Sequence, residues 1–417
     1  MFKSKITYYP ILLCTLVIAI YTLPSFASDR VILTFSTVGD SRQDLGYPDP
    51  SVINHAMVDV GSCQTPSGNG LKSNPGLTGQ DCKWLQNSKA WSRILRTIQS
   101  QKVNLLFFNG DMIMGYGRAG VPVSRSSNGT DEKPIISPTI DDILNSDVMQ
   151  SYKQYAFWRG MVANLMETGT YVVPVPGNHE VQCKRCSKIA QVENENAWRD
   201  NMGDLILDPV RFSSILGMDA QNFDVNNTPN SSDGITTDQS QLSYSFDVGS
   251  NHFVVINTDP VGNDGHAPTN WLEADLNAAE TRGAKHIFVF GHKPVVYYQI
   301  PGVELPNSQA SLYDMDGEDA AAFWNVINAH QATYFCGHEH TYNITKPFSL
   351  NSYQVLVGAG GSPFESSVAT LVPSDRMYSW ATVKVYKSGR VVMDTWGFDD
   401  TMTKPLKKLA TIRLAVR

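Results

Sequence analysis

The chain has 417 residues, 42% of them hydrophobic and 18% charged, with a formal net charge of −7. This is the composition of a globular protein able to bury a large core. The acidic balance argues against broad nucleic-acid binding, which relies on a basic surface, but leaves room for a phosphorylated substrate, because bound cations supply local positive charge.

The amino terminus reads as a secretory leader. Lys3 and Lys5 form a basic start, Ile11 to Ile20 is a short apolar core, and Ser25-Phe26-Ala27 resembles a cleavage site. The apolar run is shorter than the roughly 20 residues a spanning helix needs. Residues 1–27 are therefore expected to be removed, leaving a secreted or periplasmic protein with no membrane span after cleavage.

Beyond the leader, β-prone runs end in glycine and deliver a possible metal ligand. Val31 to Gly39 delivers Asp40, and an aperiodic stretch follows over residues 41–87. Apolar residues recurring at three and four predict a helix over 88–102, leading into Val103 to Gly110 and then Asp111. After an irregular stretch (114–150) and a helical pattern (151–168), Tyr171 to Gly177 delivers Asn178 and His179. Residues 181–240 again lack periodicity, and Leu242 to Asn257 reads as a hairpin turning at Gly249 to Asn251. Thr269 is expected to cap a helix through Ala279, with Gly283 as its stop, before His286 to Gly291 delivers His292. A helix over Gly317 to Gln331 precedes Ala332 to Gly337, which delivers His338 and, two residues on, His340. Strands are expected at Tyr353 to Val357, Ala381 to Tyr386 and Arg390 to Trp396. Residues 28–400 thus read as one domain with long loop insertions, and 401–417 as an exposed basic tail.

Helix-then-strand repetition argues for an α/β layered fold, with an antiparallel second half suggesting two packed sheets and helices outside. Ligands bind at the carboxyl ends of parallel strands, so the five strand ends describe a polynuclear metal site. Carboxylate, amide and imidazole ligands without thiolate suit Zn²⁺, Mn²⁺ or iron. Two such ions would clamp a phosphoryl group. Among the cysteines, Cys63 and Cys82 flank a loop they could close, Cys183 and Cys186 read as a small staple, and Cys336 as a buried thiol. His55, His252, His266, His286 and His330 have no such context and read as packing or surface residues.

Asp40-Ser-Arg, Gly110-Asp111, Gly177-Asn178-His179-Glu180, Gly291-His292 and Gly337-His338-Glu339-His340 together resemble the ordered motifs of calcineurin-like metallophosphoesterases. Trp271-Leu-Glu-Ala-Asp-Leu276, His292-Lys-Pro and Gly358-Ala-Gly-Gly361 resemble the purple-acid-phosphatase-like branch. The resemblance implies an αββα sandwich of two mixed sheets with the metal site at the strand carboxyl ends. It implies two metal ions, divalent or trivalent: Asp40, Asp111 and His340 on one, and Asp111, Asn178, His292 and His338 on the other. A hydroxide on the ions would attack a small phosphorylated substrate, with His179 as general acid, oriented by Glu180. Monoesters are the first expectation; phosphodiesters or nucleotides are the alternative, as is a binding or effector protein with a damaged first metal site.

Two positions depart from the family pattern. Arg42 stands where the family usually has a ligating histidine, and a guanidinium has no lone pair to give a metal. It is a candidate to bind substrate phosphate, or else to pair with a neighbouring carboxylate, with Gln43 as a possible replacement ligand. Met114 stands where purple acid phosphatases place a metal-binding tyrosine, which speaks against an iron–tyrosinate centre.

Overall fold

Neighbouring residues Phe107 and Phe108 face opposite ways, as the period-2 alternation of a strand requires, and both faces are buried. The Phe108 ring meets Trp91 and Trp158 on two helices, at 4.9 and 5.1 Å between centroids. The Phe107 ring stacks on Phe290 of a second sheet at 3.7 Å. A sheet apolar on both faces needs a layer on each side, and this chain supplies them.

In this computed structural model the described residues are 29–42, 79–115, 117–120, 122–125, 132–183, 186–296, 311–362, 377–399 and 405–415. The expected leader, Gln43 and the Cys63 end of a Cys63–Cys82 bridge lie outside them. The main strands, in chain order, are β1 (Val31–Val38), β2 (Leu105–Asn109), β3 (Tyr171–Val175), β4 (Tyr244–Val248), β5 (Asn251–Val255) and β6 (His286–Phe290). They continue with β7 (Thr333–Cys336), β8 (Tyr342–Thr345), β9 (Gln354–Val357), β10 (Tyr378–Tyr386), β11 (Val391–Phe398) and β12 (Lys407–Arg413). The principal helices are α1 (Gly79–Gln101), α2 (Asp147–Glu167), α3 (Thr269–Thr281) and α4 (Gly317–Ala329).

One sheet has the order β12-β11-β10-β1-β2-β3 and the other β8-β9-β7-β6-β5-β4, six strands each. Strands β1, β2 and β3 run parallel, as do β5, β6, β7 and β9. The remaining strands are antiparallel additions at the sides, so both sheets are mixed. Between the sheets, Phe35 touches Phe253, Phe288, Phe290 and Phe335 edge-on. Truncating a ring such as Phe35 to alanine would cost roughly 3–5 kcal/mol. Outside the second sheet, Trp271, Leu276, Phe323 and Trp324 of α3 and α4 cover Ile287, Val289 and Tyr334. The result is the expected four-layer αββα sandwich.

Several expectations change in detail. The C-terminal strands do not form a separate antiparallel half, because β10 pairs with β1 and extends the amino-terminal sheet. The tail is no free extension: Lys407–Arg413 forms the edge strand β12. The reason lies on its neighbour, where the buried Asp394 carboxylate accepts the Thr411 hydroxyl at 2.6 Å and pairs with Lys408 at 3.0 Å. The stretches read as aperiodic hold short helices at Ile140–Leu144, Val192–Met202 and Pro209–Leu216. Thr269 is the first residue of α3 rather than its cap. The cap comes from a distant loop, where the Asp233 carboxylate accepts the N–H groups of Asn270 and Trp271. Cys183 and Cys186 form a disulfide, and Cys336 is a buried free thiol.

His252, read as a bland hairpin residue, is a buried bridge. Its Nδ1 lies 2.6 Å from Asp247 and its Nε2 2.9 Å from Asp275, joining the β4–β5 hairpin to α3. Burial works against its charge, but hydrogen bonds to the two carboxylates outweigh it and raise the pKa above 6.5. Arg282 also reaches Asp247, at 3.0 Å.

Replacing His252 by alanine leaves Asp275 without its cation and should lower the unfolding free energy by about 3 kcal/mol. The raised folded pKa means that its charged form stabilises fully below the unfolded value of about 6.5 and that this contribution fades as pH rises through the folded value. Denaturant unfolding from pH 6 upward should therefore show wild-type stability declining more steeply than that of His252→Ala. Parallel profiles would contradict this.

Candidate metal centre and active site

Within each sheet the parallel strands finish on one rim, and the two rims are stitched together. His292, after β6, donates Nδ1–H to the Asn109 carbonyl at the end of β2 (2.7 Å). The His338 backbone N–H, after β7, meets both oxygens of Asp40, after β1, at 3.1 and 3.0 Å. The backbone turns sharply here: Asp40, Asp111 and His338 themselves take left-handed φ of 63°, 54° and 73°. Such conformations cost an L-residue about 1 kcal/mol or more each and are tolerated where surrounding contacts over-determine them. Two glycines permit the approach. A Cβ on Gly337 would lie within 2.3 Å of Asp40 Oδ2, and one on Gly177 within 2.6 Å of Asp111 Oδ1.

Four ligand atoms converge beside β2 and β6. His292 Nε2 lies 3.1 Å from Asp111 Oδ1, 2.9 Å from Asn178 Oδ1 and 3.1 Å from His338 Nδ1, and the last two are 2.8 Å apart. With its Nδ1–H given to a carbonyl, neutral His292 presents a lone pair to the oxygens of Asp111 and Asn178. Positive charge at the centre relieves that opposition. Burial lowers the pKa of His292, yet the charges of Asp111 and Asp40 outweigh it and lift the pKa to about 9. His338, kept well below its ordinary value by burial and by His292 and Lys293, stays neutral and able to ligate. The donor set thus fits a divalent cation.

The other half is sparser. Asp40, Asp111 and His340 bring ligand atoms within 4.8 Å of one another, with His340 Nε2 3.6 Å from Asp40 Oδ1. Burial pushes Asp40 well above the ordinary carboxylate range, with the Asp111 charge adding to it. Arg42 pairs with Asp111, its Nε 3.3 Å from Oδ2. It thus stands against a candidate ligand carboxylate with a charge and no lone pair to offer a cation.

His179 and Glu180 occupy a helical turn, Asn178–Val181, after β3. His179 Nε2 lies 3.6 Å from Asp111 Oδ2, so the residue faces the same carboxylate as both halves. Its orientation comes from the Met114 carbonyl, 2.5 Å from Nδ1, and not from Glu180 as expected. The position that lacks the family tyrosine therefore contributes through its backbone. Burial, with Arg42 nearby, lowers His179 to about 3, so it rests as the neutral Nδ1–H tautomer.

Glu180 instead anchors the turn. Its carboxylate accepts the N–H groups of Gly177 and Asp111 on one oxygen, both at 2.8 Å, and of Met112 and Ile113 on the other, at 2.8 and 3.2 Å. Burial and the charge of Asp111 push it up to about 7. A second buried brace was also missed. Lys293 Nζ pairs with Asp259 at 2.6 Å, and the Gln182 amide donates to Asp259 and to Asp264 at 3.1 and 3.0 Å. This ties the His292 strand end to the segment after His179. Gly110-Asp and Gly-Asn-His-Glu are local signals, whereas these partners lie 34 or more residues apart, and only His292-Lys293 hinted at them.

The layered fold and the converging oxygen and nitrogen ligands define a metallohydrolase frame. Residues 81–342 match the family model of calcineurin-like phosphoesterases, and the chain belongs to that family. It is accordingly a hydrolase acting on phosphoric esters, and membership implies a dinuclear metal centre. A dimetal phosphatase from Danio rerio is similar in structure, at 13% identity over 93% of this chain and 100% of that one, with a TM-score of 0.49. A purple acid phosphatase from yellow lupin (Lupinus luteus) seeds is similar at 12% identity over 91% of this chain and 53% of that one, with a TM-score of 0.47. No curated protein sequence matches.

Glu180→Gln would set an amide NH₂ against backbone N–H groups, at a cost of about 1–3 kcal/mol. Thermal unfolding with and without Mn²⁺ should show a lower midpoint and a smaller metal-induced rise, because Asp111 loses its anchor. Wild-type values for both would contradict this role.

Proposed function

We propose that the chain is an exported phosphomonoesterase in which Asp111, Asn178, His292 and His338 hold one ion, and Asp40, Asp111 and His340 hold another. The observation that carries this reading is the convergence of Asp111 Oδ1, Asn178 Oδ1 and His338 Nδ1 on His292 Nε2, at 3.1, 2.9 and 3.1 Å. Their mixed hardness suits Zn²⁺, Mn²⁺ or iron. When bound, such ions polarise phosphoryl oxygens and make water nucleophilic at neutral pH.

The chain's own groups do the rest. Asp111 faces both halves, and Glu180 fixes it from beneath through the backbone at residues 111–113. His179 keeps its Nδ1 proton on the Met114 carbonyl, which aims Nε2 at the space beside Asp111. To protonate a departing alkoxide it must first gain a proton at Nε2, which burial and Arg42 oppose. A phosphate dianion beside it supplies the negative charge that offsets both, so His179 becomes an acid when substrate is present. Arg42, one-eighth exposed at the rim, offers a planar fork to phosphate oxygens. A monoester carries three non-bridging oxygens, enough for two ions and the fork, where a diester carries two. Diester hydrolysis is the second reading. The Lys3/Lys5 leader and the Cys183–Cys186 disulfide support an oxidising, extracytoplasmic location, secreted or periplasmic. The mature domain would start near Ser28 and run through β12. No helix among the described residues is long and apolar enough to cross a membrane.

With metal-loaded protein, p-nitrophenyl phosphate should be hydrolysed faster than its bis-ester. His179→Ala should lower kcat by about 10²- to 10⁴-fold with metal content unchanged. Fully loaded protein that cleaves only the bis-ester would overturn the monoester assignment, and an undiminished His179→Ala would overturn the role of His179.

A further inference from the structure

The two oxygens of Asp111 have different employers. Oδ1 faces His292 Nε2 at 3.1 Å and accepts the His179 backbone N–H at 3.1 Å. Oδ2 faces the Arg42 guanidinium at 3.3 Å. The pairing is built into the backbone: Arg42 N–H donates to the Asp111 carbonyl at 2.9 Å, and Arg42 takes a left-handed φ of 40°. A guanidinium stays protonated and offers a cation no lone pair. Beside Asp40, Asp111 and His340 it therefore opposes an ion twice, by competing for Oδ2 and by like-charge repulsion. The same fork is well matched to phosphate oxygens.

We propose that Arg42 couples anion binding to ion occupancy in the Asp40–His340 half. Without an anion, Arg42 pairs with Asp111 and keeps that half at low cation affinity. A phosphate at the rim draws the guanidinium away, releases Oδ2, and adds negative charge where the second ion binds. The Asp111–Asn178–His292–His338 half uses Oδ1 and fills independently of the anion. The proposal rests on the phosphoesterase reading of this site and adds an order to its assembly. Linkage makes the effect reciprocal, so the second ion tightens phosphate by the same factor, and couplings of this kind are typically about 5- to 150-fold.

The test is titration of metal-free, full-length protein with Mn²⁺, by calorimetry and by the spin-coupled electron paramagnetic resonance signal of a manganese pair. It is run with and without inorganic phosphate on wild type, Arg42→Ala and Arg42→His. In wild type one ion should bind without phosphate, a second at least about tenfold more weakly, and phosphate should tighten the second by roughly tenfold or more. Arg42→Ala should bind the second ion more tightly without phosphate and lose most of the phosphate effect. Arg42→His should show the coupled signal with no phosphate. Two ions of equal affinity in phosphate-free wild type, or an undiminished phosphate effect in Arg42→Ala, would overturn the coupling. Failure of the first ion to bind would overturn the metal reading beneath it, and is a separate event in the titration.

Discussion

Asp111 is a fully buried carboxylate whose two faces look into different neighbourhoods, and the site is arranged around the need to satisfy it. Burial alone would make it a poor anion. The charges of His292 and Arg42 together overcome that and hold its pKa well below the ordinary range. Glu180 holds the Asp111 backbone from below, and His292 reaches it from the other sheet. A buried charge with so many oriented partners is costly to build.

The rest of the fold keeps those partners in register. Strand β2 carries Phe107 inward onto Phe290 and ends two residues before Asp111, while β6 carries Phe290 and ends two residues before His292. One stacked aromatic pair thus sets the distance between the two ligand-bearing strand ends. The His292 Nδ1 hydrogen bond to Asn109 then fixes the ring and turns Nε2 toward Asp111. Left-handed backbone at Asp40, Asp111 and His338 is the conformational cost of bringing side chains from two sheets to one point.

Much of this was legible in the sequence, because strand, glycine and ligand are contiguous. Asp40, Asp111, Asn178, His179, His292, His338 and His340 all lie at strand ends as expected, and the layered fold followed from the alternation of elements. What was not legible depends on partners far away in the chain. Glu180 looked like an orienter of its neighbour His179, but the nearest unsatisfied donors in space are the N–H groups after β2. The cap of α3 comes from Asp233, 37 residues upstream of Asn270, so Thr269 was the better local guess. Lys407–Arg413 looked like a charged tail because an edge strand carries polar residues outward. The pairing that holds it is made by Asp394 on the adjacent strand. The sequence leaves Arg42 between a substrate phosphate and a neighbouring carboxylate, and only its distance to Asp111 names the carboxylate.

Anomalous diffraction at the manganese edge from crystals grown with Mn²⁺ and without phosphate puts the convergence at Asp111 to the most direct test. A strong anomalous peak should lie among Asp111 Oδ1, Asn178 Oδ1, His292 Nε2 and His338 Nδ1, with these atoms drawn into its coordination. No peak there, with His292 Nε2 still in direct contact with Asn178, would show that a proton and not a metal ion satisfies these groups.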